Sequence, residues 1–182
     1  MKQLRQIIDI KNDLLCARLP YDDRELEDVF ASLDSHADLQ WSTVKIPHDI
    51  AIEGDFDVNN DIELDETGAV KTSGTSGGLP IVGIGVYKKQ MHIDEEYSGQ
   101  NVFLEFDGIM NESAVFVNGR LAGKNHYGYL SFSLDVTELV SFGESNEICV
   151  LCRVRPLSSR WYSGLGIFRP ARMLICNKTH LA

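Results

Sequence analysis

From residue 84 onward the chain alternates apolar and polar residues with a period of two, the period of a half-buried strand. VFLEF (102–106) sets Val102, Leu104 and Phe106 on one face against Phe103 and Glu105. SAVFVNGRLAG (113–123) predicts a hairpin with Asn118-Gly119 at its tip, the pair suited to the two positive-φ positions of a type I′ turn. SFSL (131–134) is a short strand, and DVTELV (135–140) reads as one helical turn opened by an Asp cap. ICVLCRV and ARMLICNK complete the set. Short strands separated by turn signals at intervals of about 8–12 residues predict a β-sandwich.

Two stretches break this pattern. DRELEDVFASL (23–33) places Leu26, Val29, Phe30 and Leu33 on one helical face, which predicts a short helix lying on the core as a lid. Residues 53–83 carry seven acids between Glu53 and Glu66, then TSGTSGGLPIVGIG, and read as a long excursion ending in a Gly/Ser-rich loop. With 182 residues and no internal repeat, the pattern predicts a single domain over 1–182.

Composition narrows the function classes. A formal charge of −10 without a basic stripe argues against nucleic acid as a partner. No apolar run approaches the roughly 20 residues of a membrane span, so no membrane partner is expected. MKQLRQIIDIKNDLL lacks the apolar region of a signal peptide, which predicts a cytoplasmic protein, or a periplasmic or secreted one if a signal preceded this sequence. Cys149 and Cys152 have C-x-x-C spacing, but on an alternating strand residues three apart face opposite sides. They and Cys16 and Cys176 are expected to be free, buried thiols, and no metal or other cofactor is expected.

Most candidate chemistry has a structural alternative. Asp55, Asp57, Asn59, Asp61, Glu63 and Glu66 match positions 1, 3, 5, 7, 9 and 12 of an EF-hand loop, with Ile62 at the eighth. Asn60 replaces the sharp-turn glycine and the flanks carry no helical pattern, so a solvated acidic loop is the favoured reading. SGTSGGLP (73–80) has neither the Gly-Lys-Ser/Thr nor the helix of a phosphate loop. His48 and Asp49 would need a nucleophile that the sequence does not supply, and read as loop anchors. A glycosidase needs two carboxylates flanking the scissile bond, and none of the 27 acids sits at a recognisable barrel strand.

The segment RWYSGLGIFR (160–169) is the sharpest candidate. Trp161 and Tyr162 offer flat apolar faces that match the CH-rich face of a pyranose, and Arg160 can donate to hydroxyls. The alternative is a packed corner, with the glycines turning the chain and Arg169 paired to a buried acid. Composition and spacing leave the two readings even.

In order along the chain, WSTVKIPHDIAIEGDF, GGLPIVGIGVYKK, FLEFDGIMNESAVFVNG, GYLSFSLDVT and SSRWYSGLGIFR resemble the N-terminal domain of the family 2 glycoside hydrolases, with the β-galactosidase branch the best match. The resemblance runs from about Lys11 to the C-terminus. It implies a jelly-roll β-sandwich, galactose-binding-domain-like and known as the sugar-binding domain. In the family this domain is followed by an immunoglobulin-like sandwich and a TIM barrel with both catalytic glutamates. The resemblance therefore implies a domain of a larger enzyme, with no catalytic residue of its own, that serves retaining hydrolysis of terminal β-galactosides.

Two loops of such a domain reach the sugar, one before GIGVYKK and one at SSRWYSG. Family members place an Asn in the first and an Asp in the second. This sequence has Val82 near the first position and Ser159 or Arg160 near the second, and Val86 where many relatives have Trp. The implied substrate-binding set is Val82, Ser159, Arg160, Trp161 and Tyr162. The implied partners are a galactoside-type sugar and the downstream domains of the same polypeptide, with self-assembly into a homo-oligomer left open. Glucuronidase and mannosidase branches share the domain. Two other readings stand beside it: an autonomous carbohydrate-binding module, and a structural interaction domain.

Overall fold

The computed structural model describes residues 5–56, 62–64, 66–67, 70–72, 83–155 and 164–179. Twelve strands occur among them: β1 (Arg5–Ile10), β2 (Leu14–Leu19), β3 (Ser42–Val44), β4 (Ile62–Leu64), β5 (Val70–Thr72), β6 (Ile84–Ile93), β7 (Asn101–Phe106), β8 (Glu112–Val117), β9 (Arg120–Asn125), β10 (Phe132–Asp135), β11 (Glu144–Arg153) and β12 (Ala171–Cys176). One sheet has the order β1-β12-β7-β10 and the other β3-β2-β6-β11-β8-β9, while β4 and β5 form a separate pair. All pairings are antiparallel. This is the β-sandwich that the strand pattern predicts.

The main core lies between the two sheets. Val102, Leu104 and Phe106 of β7 and Met173 and Ile175 of β12 face Tyr87, Met91, Val115, Val150 and Cys152 of the larger sheet. Each such side chain contributes about 1.5–3 kcal/mol by leaving water. Phe106 stacks on Phe132 of β10 with centroids 5.3 Å apart, which ties the short edge strand into the core. Val102 and Thr137 are linked at the turn after β10, where Asp135 Oδ1 accepts the Thr137 N–H at 3.0 Å. That turn is a single capped turn and not a helix.

The larger sheet also carries apolar residues on its outer face. Leu19, Ile84, Val86, Phe116, Cys149 and Leu151 pack there beneath α1 (Leu26–Ala31), whose Leu26 and Val29 are buried. Phe30 stacks on Phe116 at 3.8 Å and 7°. The predicted lid is therefore present, although its helix is shorter than the pattern suggested and passes through Ser32 into a 3-10 turn at Leu33–Ser35. Val86 sits under this lid, fully buried.

Cys149 faces the helix side of β11 and Cys152 faces the sandwich interior, so the C-x-x-C pair is split by the sheet. All four cysteines are buried and free. Asn118 and Gly119 have φ of 49° and 78°, as the type I′ tip requires. The Asn118 amide goes further than the turn and bonds Leu139 O and Asn146 Oδ1. β1 and β2 had no clear signal in the sequence. RQIIDI is an edge strand with Ile7 exposed and Ile10 buried, and charged residues interrupt its short apolar run.

Candidate functional site

The strand ends that adjoin in sequence the two loops singled out above lie together at one end of the larger sheet. Register pairs Ile84, the first residue of β6, with Arg153, the last residue of β11. Arg153 pairs in turn with Glu112, the first residue of β8, and Ile84 with Leu19, the last of β2. The chain therefore enters β6 beside the point where it leaves β11. Val82, Ser159, Arg160, Trp161 and Tyr162 lie outside the described residues, as do Asp57, Asn59 and Asp61 of the acidic segment. Their anchors, Gly83, Arg155 and Gly164, are described.

The exit from β11 is held by charge. Arg153 is 2% exposed, and its Nε bonds Glu112 Oε2 at 2.9 Å. Its Nη1 donates to the carbonyls of Asp22 and Arg24, which pins the segment before α1 to the same sheet end. Arg155 takes the other Glu112 oxygen at 2.7 Å. Burial alone would raise the Glu112 carboxyl, but the bonds from Arg155 and Arg153 outweigh it and hold it below the usual carboxylate range.

The return is held by the PHDI segment. Asp49 Oδ1 accepts the backbone N–H of Leu165 at 3.0 Å and that of Ala51 at 3.1 Å. Backbone bonds run from His48 N–H to Ile167 O at 2.8 Å and from Ile50 N–H to Leu165 O at 2.9 Å. Gly166, with φ 143°, bridges Met110, and a Cβ there would run into Tyr87 Oη and His48 O. No residue with a side chain fits that position.

His48 Nδ1 lies 2.8 Å from Tyr87 Oη. Burial raises the Tyr87 phenol far above its ordinary range, so it stays protonated and can donate to the imidazole. His48 Nε2 faces Glu53 Oε1 at 3.0 Å, a close approach that is not aligned as a hydrogen bond. His48 and Asp49 thus anchor a loop, as read from the sequence. Arg169 differs from expectation. It donates to two backbone carbonyls, Tyr129 O at 3.0 Å and Asp107 O at 3.4 Å, whereas the Asp107 carboxylate is taken by Arg172 at 3.1 Å.

Among the described residues the acidic segment is flanked by a turn at Ala51–Gly54 and by β5, and not by the helices that hold an EF-hand loop. Glu63 falls within β4, opposite Lys71. Among the described residues no group of three His, Cys, Asp or Glu could hold a metal ion. The residues that sequence reasoning missed are Tyr127 and Tyr129, which stand exposed at the same sheet end; the motif GYLSFSLDVT contained one of them without marking it as accessible.

Comparison with known proteins agrees with this architecture. Residues 33–169 match the family model for the glycosyl hydrolases family 2, sugar binding domain. The β-galactosidase BoGH2A of Bacteroides ovatus is 39% identical over 140 residues, which are 76% of this chain and 15% of that protein. A β-glucuronidase of Bacteroides fragilis is 34% identical over 103 residues, 53% of this chain and 15% of that protein. A crystal structure of a β-glycosidase from Bacteroides vulgatus superposes with a TM-score of 0.73 at 32% identity, covering 97% of this chain and 21% of that one. The chain thus spans only 15% of the length of either curated relative. It belongs to the sugar-binding domain family of the family 2 glycosyl hydrolases.

Proposed function

We propose that this domain lends two loops to the sugar subsite of a family 2 glycoside hydrolase acting on terminal β-galactosides with retention. The observation that carries the reading is the pairing of Ile84 with Arg153, which sets the start of β6, two residues after Val82 in the chain, beside the end of β11, six residues before Ser159. Trp161 and Tyr162 supply the stacking surface, Arg160 donates to hydroxyls, and Val82 and Ser159 line the edge. The similar β-galactosidase from Bacteroides ovatus supports galactose as the glycone. The barrel that would supply the catalytic carboxylates belongs to the remainder of such an enzyme, and the cytoplasm is the proposed compartment.

The test is a titration of the chain with methyl β-galactoside and methyl β-glucuronide, followed by saturation-transfer NMR. A half-site forfeits most contacts, so a dissociation constant near 1 mM, about −4 kcal/mol, is expected for the galactoside. Arg160→Ala should weaken binding without moving the melting temperature. Equal loss of fold and binding would mark Arg160 as structural. A preference for the glucuronide would transfer the reading to the activity named for the Bacteroides fragilis relative. Micromolar binding would identify an autonomous carbohydrate-binding module instead.

A further inference from the structure

The loop between β9 and β10 exposes two aromatic rings, Tyr127 at 55% and Tyr129 at 41%. Their centroids are 5.7 Å apart and the rings are inclined at 61°, so they present two differently tilted apolar surfaces to solvent. Neither phenol hydroxyl is hydrogen-bonded to another described residue. Leu130 beside them is 61% exposed.

This loop is not a loose tip. Asn125 Nδ2 donates to Tyr127 O at 2.8 Å, Gly128 N–H donates to Asn111 Oδ1 at 3.0 Å, and Arg169 Nη1 donates to Tyr129 O at 3.0 Å. Three consecutive backbone units are thus fixed by side chains from three different segments. A Cβ on Gly128 would meet Met110 Sδ at 2.6 Å, so the loop lies directly on the Met110 segment. Tyr129 also packs edge-on against Phe168 at 5.9 Å, with Arg169 over both rings. Exposed aromatics on so constrained a backbone lose little freedom on binding, which is what a stacking platform needs.

Position gives the platform its ligand. β9 ends at Asn125, opposite Ser113 near the start of β8, so the loop leaves the larger sheet at the same end as Ile84 and Arg153. Its support from Phe168 and Arg169 comes from the segment that continues the proposed sugar loop. We propose that Tyr127 and Tyr129 form a second carbohydrate-stacking surface, which takes a pyranose ring further along the sugar chain whose terminal unit enters at that end. The phenol hydroxyls then bond ring hydroxyls, while the tilted faces take CH groups. This inference rests on the proposed sugar subsite and extends it from a terminal sugar to an oligosaccharide.

The experiment is calorimetric titration of the 182-residue chain with galactose and with a β-linked galactotetraose. The tetraose is expected to bind at least about tenfold tighter, 1.4 kcal/mol per tenfold. Tyr127→Ala and Tyr129→Ala should each remove most of that gain and leave galactose binding unchanged. Tyr127→Phe should keep part of it. In the unaltered chain, the Tyr127 and Tyr129 ring resonances should shift with tetraose and not with galactose, a readout independent of variant folding. Galactose binding that is sensitive to Arg160→Ala, together with no tetraose gain or a gain that survives the Tyr127 and Tyr129 changes, overturns the platform and leaves the subsite standing. Absence of binding to either sugar overturns both. Still rings with tighter tetraose binding would place the second contact elsewhere and overturn the platform.

Discussion

Asp49 Oδ1 holds the backbone N–H of Leu165 at 3.0 Å, across 116 residues of chain. Oδ2 of the same carboxylate lies 3.0 Å from where a Cβ of Gly164 would stand. One side chain therefore fixes the point at which the RWYSG segment rejoins the sandwich. The segment before it is fixed at the other side by Arg153 and Glu112.

Asp49→Ala removes the acceptor shared by Ala51 and Leu165, and is expected to cost about 1–3 kcal/mol. On the proposed function, galactoside binding should fall by more than this loss of stability explains, because the proposed sugar loop loses the anchor of its C-terminal end. Asp49→Asn keeps a carbonyl oxygen and should restore most of both. Thermal unfolding and sugar titration of the two variants check this. Full binding by Asp49→Ala would show that the loop is placed without it.

The Glu112 carboxyl is held below its ordinary range by Arg155 and Arg153. A lowered folded value means that the unfolded chain takes up the proton first, so stability falls with acid. The contribution is complete above about pH 4.3, the unfolded value, and is lost as pH falls through the lower folded one. Glu112→Gln should cost about 1–3 kcal/mol at pH 7 and less in acid, since charged hydrogen bonds are replaced by neutral ones. Denaturant melts from pH 7 to pH 3 measure it. A cost that does not shrink with acid would refute the assignment.

Burial pushes the Cys16 and Cys149 thiols up to about 12, and raises Cys152 and Cys176 as well. The thiolate is the reactive form, so all four should resist a thiol reagent at pH 8 in the native chain and react together on unfolding. Added zinc should not shift the melting temperature through the C-x-x-C pair, whose members lie on opposite faces of β11. Rapid labelling of Cys152 in the native state would contradict its place in the interior.

The sequence by itself determined the local structure. Period two in VFLEF put Val102, Leu104 and Phe106 inward, Asn118-Gly119 made the type I′ tip, and Leu26, Val29 and Leu33 placed a lid on the outer face. These are decided by side-chain direction and backbone sterics over a few residues, which any window of sequence contains. Its ordered motifs also carried the family. Only the tertiary structure decided which strand ends meet, because pairing Ile84 with Arg153 or Asp49 with Leu165 depends on contacts between residues far apart in the chain. It gave Arg169 to two carbonyls and left the Asp107 carboxylate to Arg172. The exposure of Tyr127 and Tyr129 was decided the same way, since an aromatic in a turn looks alike in sequence whether its ring is packed or bare.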